Sequence, residues 1–221
     1  YLDVDDVGLP FNPLMPIERN GKYRPKRDID ELQSIIMRLV ELTPLQASLF
    51  HKALYKVYLN CGAPDQARIP KEEFVLNPEP TLELLYETLD NFAESSDNFT
   101  SPRDVALLKN KLDIIKNYDI FQVSQIPFED LINGRWILDI STFADTIKNL
   151  ILEIFISRID NYMRTLPGED RFRSLIVFDE AHRVKDNDQL EEFMRECRAF
   201  GFGVIFGTQL PKDLGSDIAS H

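Results

Sequence analysis

The segment Ser174-Leu175-Ile176-Val177-Phe178 is the most hydrophobic strand-like run in the chain, and it ends in Asp179-Glu180. A strand that is apolar at nearly every position, without in-out alternation, needs cover on both faces, as in a parallel sheet sandwiched between helices. The flanking sequence has the matching rhythm. Arg135-Trp136-Ile137-Leu138-Asp139-Ile140 reads as a buried strand. Residues 142–165 read as a long helix with Phe143, Ile147, Leu150, Ile151, Ile154, Phe155 and Ile159 turned inward. Gln189 to Phe200 reads as a further helix and Gly203 to Thr208 as a third strand. Strand–helix–strand–helix–strand predicts parallel crossovers and an α/β fold.

The preceding part has a different period. Ile29, Leu32, Ile35, Ile36, Leu39 and Val40 recur at three- and four-residue spacing, with Asp28 placed to cap that helix. Thr43-Pro44 opens a second helix whose buried stripe is Leu45, Leu49, Ala53, Leu54, Val57 and Tyr58, and Cys61-Gly62-Ala63-Pro64 stops it. A third helix starts at Thr81 and a fourth runs from Pro102 to Asn117. Tyr1 to Val7 reads as a strand or strand exit. It leads into the proline-rich Gly8-Leu9-Pro10-Phe11-Asn12-Pro13-Leu14-Met15-Pro16 and then a basic loop, Arg19 to Arg27. The expected division is therefore residues 1–27 as strand exit and extended basic loop, 28–117 as a helical subdomain, and 118–221 as the α/β part.

Composition narrows the function classes. The chain has 221 residues, 43% of them hydrophobic, enough for a sizeable core. No apolar run approaches the roughly 18 residues that cross a bilayer. The net charge of −12 excludes a fold coated with cations for nucleic acid, although a small basic site on an acidic body is compatible with it. Cys61 and Cys197 are far apart and form neither a disulfide framework nor a metal motif, so a reducing, cytoplasmic compartment is expected. The acidic start without an initiator Met reads as an excised piece of a longer protein.

The chemistry concentrates at strand ends. A parallel strand ending in Asp179-Glu180 puts two carboxylates at the C-terminal sheet edge, where open α/β folds bind ligands. In a nucleotide triphosphatase the first acid supports Mg²⁺ through water and the second polarises the attacking water. The same pair also suits a helix N-terminus. The following strand ends in Thr208-Gln209, side chains that can reach a γ-phosphate or the attacking water, or that simply close a turn. Arg198 can sense nucleotide, enter a neighbouring subunit's site, or sit solvated at a helix end. His182 suits either a phosphate contact or a first-turn helix position, and no His/Cys cluster has metal spacing. The phosphate cradle Gly-x-x-x-x-Gly-Lys-Ser/Thr does not occur in these residues.

Asp179-Glu180-Ala181-His182, Arg198, and Gly201-Phe202-Gly203-Val204-Ile205-Phe206-Gly207-Thr208-Gln209-Leu210-Pro211-Lys212-Asp213-Leu214 together resemble the HerA/FtsK superfamily of hexameric DNA-pumping ATPases, which includes type IV secretion ATPases. Phe11-Asn12-Pro13-Leu14 followed by a helical block resembles the insert these proteins carry after the P-loop region. The resemblance implies a RecA-like three-layer parallel sheet, incomplete here for want of the P-loop segment, with Asp179 as the Walker B acid that holds Mg²⁺ through water. It makes Glu180 the catalytic glutamate and Gln209 the sensor, beside the candidate nucleotide-facing Thr208 and Arg198 read above. Within the group, the ATPase of phosphorothioation-dependent DNA restriction systems is the nearest likeness. Asp-Glu-Ala-His also spells the box of another helicase superfamily, but the Gly-Thr-Gln strand end and the long helical block do not suit it.

These readings lead to an ATP-dependent DNA translocase or helicase motor acting, in the intact parent, as a hexameric homo-oligomer with ATP and Mg²⁺. Arg19, Lys22, Arg24, Lys26 and Arg27 are its candidate DNA contacts, or else a solvated surface loop. Two alternatives stand beside it: a P-loop-less assembly or DNA-defence scaffold, and a secretion-type motor moving protein or nucleoprotein.

Overall fold

The computed structural model describes residues 1–94, 101–122, 124–168, 172–179 and 188–208. The chain forms two compact units, Tyr1–Pro127 with Trp136–Phe143, and Phe128–Arg135 with Ala144–His221. The first unit runs through residues 27 and 117 without a boundary and takes in residues 136–143 with the helical block.

In the first unit, β1 (Leu2–Asp3) pairs in parallel with β5 (Leu138–Asp139). Asp3 ends its strand by capping the short α1 (Val4–Val7), accepting the Asp5 N–H at 3.1 Å. The expected strand over 135–140 is thus only two residues long, and it is not buried: Trp136 and Ile137 are exposed. The loop that follows α1 is pinned by Asn12, whose side chain donates to Pro80 O at 2.8 Å and accepts the Leu14 N–H at 2.9 Å. Tyr58 donates to Leu14 O at 2.6 Å, so the Phe-Asn-Pro-Leu run is anchored to the helices around it.

The basic segment is a hairpin rather than an extended loop. β2 (Glu18–Arg19) and β3 (Lys22–Tyr23) pair antiparallel, and β4 (Ile69–Pro70) adds to β3. Asn20 and Gly21 both have positive φ, 53° and 73°, as a two-residue hairpin turn requires.

Helix α2 (Pro25–Val40) starts three residues before the expected Asp28, with Pro25 at its first position and Arg24 as an N-cap that makes no side-chain bond. Asp28 is therefore not the cap. It is a buried first-turn residue that accepts the Ile17 N–H at 3.1 Å and pairs with Arg19. Helix α3 (Pro44–Asn60) begins with a reciprocal capping box, Gln46 N–H to Thr43 Oγ1 at 3.3 Å and Thr43 N–H to Gln46 Oε1 at 3.0 Å. Its stripe runs 46/47, 49/50, 53/54 and 57/58, which leaves Leu45 exposed and buries Phe50. Helices α4 (Leu82–Glu94) and α5 (Pro102–Lys116) pack beside it. Thr81 Oγ1 accepts the Leu84 N–H at the start of α4, and Ser101 caps α5.

The second unit contains α6 (Phe128–Asn133), α7 (Asp145–Met163), β6 (Ser174–Phe178), α8 (Asp188–Cys197) and β7 (Phe202–Phe206). β6 and β7 pair in parallel with α8 between them in sequence, as the rhythm predicts. One sheet face is covered: Phe178 and Phe202 join Ile156, Ile159, Met163, Leu190 and Phe193 in one core. The other face is not, since Leu175, Val177 and Ile205 are exposed. The double-sided cover expected from the apolar run is therefore present on one side of this strand pair. Arg164, the C-cap of α7, links the helices, pairing with Asp160 at 2.9 Å, Glu192 at 3.1 Å and Glu196 at 2.7 Å.

Candidate functional site at the end of the parallel strand pair

The β6–β7 register runs from Ser174 opposite Phe202 to Phe178 opposite Phe206. The pairing continues one step further, where Gly207 N–H donates to Phe178 O at 2.8 Å. Asp179 therefore stands opposite Gly207 at the C-terminal edge of neighbouring strands, with Thr208 one residue further along the chain. The facing rings of Phe178 and Phe206, with centroids 5.7 Å apart, help fix that register from the core side. Asp179 is exposed, as a carboxylate that meets a soluble ligand must be.

The carboxylate lies close against the neighbouring strand end. A Cβ built on Gly207 would sit 2.8 Å from Asp179 Oδ1, nearer than real Cβ contacts allow. Nothing in the sequence signals this contact, because it joins residues on separate strands through a parallel register. Glu180, Gln209 and His182 lie outside the described residues.

Arg198 is not part of this edge. It lies in the turn Arg198–Phe200 before β7, at the opposite end of a five-residue strand, which spans about 16 Å. It is exposed there.

The five basic residues have differing surroundings. Arg19 is mostly buried and pairs with Asp28 and, at 2.9 Å, with Glu31. Arg27 shares Glu31 at 3.0 Å. Lys26 Nζ lies 4.5 Å from the centre of the Tyr55 ring, and the buried Nε of Arg24 makes no hydrogen bond. Lys22 is exposed on the hairpin.

Asp179 and Thr208 offer a hard carboxylate and a hydroxyl, donors that suit Mg²⁺. Among the described residues no group of three or more His, Cys, Asp or Glu could hold a metal alone. Cys61 and Cys197 are free and buried, and burial pushes both thiols up. Among the described residues no helix is long and apolar enough to cross a membrane.

No protein-family model and no curated protein matches the chain. Solved structures do. VirB4 of Thermoanaerobacter pseudethanolicus superposes with a TM-score of 0.65 at 20% identity, over 99% of this chain and 59% of that one. The plasmid coupling protein TrwB in complex with the non-hydrolysable ATP analogue ADPNP gives 0.54 at 12% identity, over 95% and 51%. TrwB in complex with ADP and Mg²⁺ gives 0.50 at 14%, over 94% and 51%. The chain thus spans between half and three fifths of the length of these proteins, and at such identities the likeness is one of fold. The α/β chain expected from the strand rhythm shares the RecA-like fold of VirB4 and TrwB.

Proposed function

We propose that the chain is part of an ATP-driven motor that translocates DNA, working in the cytoplasm as a ring of identical subunits. The observation that carries this reading is the pair of parallel strand ends, with Asp179 opposite Gly207 and Thr208 next in the chain, on the fold of VirB4 and TrwB. Mg²⁺ and ATP are the implied ligands, and complexes of TrwB with ADPNP and with ADP and Mg²⁺ support them. In this reading Asp179 holds the water shell of Mg²⁺, Glu180 orients the attacking water, and Thr208 and Gln209 contact the γ-phosphate side. Arg198, remote from Asp179 within one subunit, is suited to serve a neighbour's site. The likeness to VirB4 and to the plasmid coupling protein TrwB supports a motor, and a place in a restriction system draws support from the sequence likeness alone. The test is ATP hydrolysis by the full-length protein with and without duplex DNA. Stimulation by DNA is the expected result, and hydrolysis indifferent to DNA overturns the translocase reading.

One observation favours a second reading. The 221 residues contain no phosphate-binding Gly-x-x-x-x-Gly-Lys-Ser/Thr loop, whose backbone N–H groups and Lys supply most β- and γ-phosphate contacts. A non-catalytic assembly or DNA-defence scaffold needs no such loop. A full-length protein that assembles and binds DNA but neither binds nor hydrolyses ATP would establish that role.

A further inference from the structure

The geometry points to Gly207 as a positioning residue for the Asp179 carboxylate, an inference that takes Asp179 as the Mg²⁺-supporting acid proposed above. Three observations carry it. First, the parallel register and the Gly207 N–H to Phe178 O bond place the Gly207 Cα directly beside Asp179. Second, the space a side chain would occupy at 207 is taken by Asp179 Oδ1, 2.8 Å from the built Cβ. Third, the other near atoms, Asp179 Cα and Phe178 O, are both at 3.6 Å, an ordinary contact distance.

The contrast between these distances decides what a substitution does. A methyl group at 207 does not push strand from strand, because the backbone atoms already leave it room. The one atom it meets closer than contact distance is Oδ1, at the far end of an exposed side chain, which is displaced by rotation about its side-chain bonds. No positive φ is involved, so the glycine is not required by backbone conformation. Its place is explained by the carboxylate it admits. Gly207 acts through Asp179 and touches neither metal nor nucleotide in this scheme.

The experiment uses the full-length protein with a fluorescent ATP analogue titrated across a Mg²⁺ series, in wild type, Gly207→Ala, Asp179→Ala and the double variant. Gly203→Ala serves as control, because its added Cβ meets only the side chains of Leu175 and Phe172 on the sheet face. The expected result is that Gly207→Ala raises the Mg²⁺ concentration for half-maximal nucleotide binding about tenfold, the size of effect seen when a group orienting a metal ligand is lost. Its thermal midpoint stays with that of Gly203→Ala, and it adds nothing in the Asp179→Ala background. If Asp179→Ala shifts the Mg²⁺ response and Gly207→Ala does not, the inference fails while the reading of Asp179 survives. If Asp179→Ala itself leaves the Mg²⁺ response unchanged, the reading of Asp179 fails and takes the inference with it. Additive shifts in the double variant, or a collapse of the Gly207→Ala thermal midpoint, give Gly207 a role independent of Asp179 and also overturn it.

Discussion

Arg19 and Asp28 form an ion pair that fastens the β2–β3 hairpin to the first turn of α2, with side chains only 12% and 5% exposed. Asp28 also accepts the Ile17 N–H, and Arg19 reaches on to Glu31 at 2.9 Å. A cation so enclosed works chiefly within the fold, since its partners have already replaced its water. Arg19→Ala leaves Asp28 buried with its strongest partner gone. The expected cost is about 2–3 kcal/mol, the range for a buried charged group that loses a hydrogen-bond partner. Urea denaturation of wild type and variant measures it, and a loss near zero would show that the pair contributes no net stability.

A second enclosed acid, half-buried Asp160, has its charge partly desolvated. Asp160 on α7 accepts from Arg164 Nε at 2.9 Å through Oδ2, while its Oδ1 is buried without a hydrogen bond. Burial raises its pKa, against the pull of the Arg164 guanidinium and with smaller additions from Glu192 and Glu196. A raised folded-state value means the folded protein prefers the protonated form. The stability this group contributes is therefore full below the ordinary carboxylate value of about 4 and is lost as pH rises through the raised one. Asp160→Asn removes that dependence. The thermal midpoint of the variant, relative to wild type, should climb as pH goes from about 4 to 7. A gap constant with pH would show that Asp160 titrates in the folded protein as it does in the unfolded chain.

Glu180→Gln in the full-length protein should keep nucleotide binding and lose hydrolysis. The change preserves shape and removes the charge that orients water, an effect of roughly 10²–10⁴-fold for a general base. Turnover at the wild-type rate, with binding intact, would make Glu180 a helix-starting residue instead.

What the sequence made legible was local. The Thr43-Pro44 start of α3, the Thr81 and Pro102 starts of α4 and α5, and the five-residue β6 all come from signals within a few residues of each other. Non-local pairing decided the rest. The apolar run over 135–140 yields a two-residue strand because its partner β1 is itself only Leu2–Asp3. Asp28 looks like a cap from its neighbours, but Pro25 starts the helix earlier and Arg19, nine residues away, claims the carboxylate. At the candidate site the two strand ends were readable, whereas the contact of Gly207 with Asp179 exists only through the parallel register.

The hairpin supplies the last prediction, on DNA binding by the full-length protein. Five cations between Arg19 and Arg27 look equivalent in sequence, yet their surroundings separate them. Arg19 and Arg27 share Glu31, and Arg19 is mostly buried, so neither is well placed to release a counterion from a phosphate. Lys22 is exposed on the hairpin, and Lys26, exposed as well, rests its ammonium over the Tyr55 ring, which leaves its charge unneutralised. If this hairpin contacts the DNA backbone, Lys22→Gln and Lys26→Gln should each reduce the slope of log affinity against log salt by roughly one unit. Arg27→Gln should change the slope less, because Glu31 already offsets that charge. The measurement is duplex binding across a salt series, with each variant first checked for an unchanged thermal midpoint. Slopes that do not move for Lys22→Gln and Lys26→Gln would exclude the hairpin from the DNA path and direct attention to the loops at the C-terminal edge of β6 and β7, where Asp179 and Thr208 emerge.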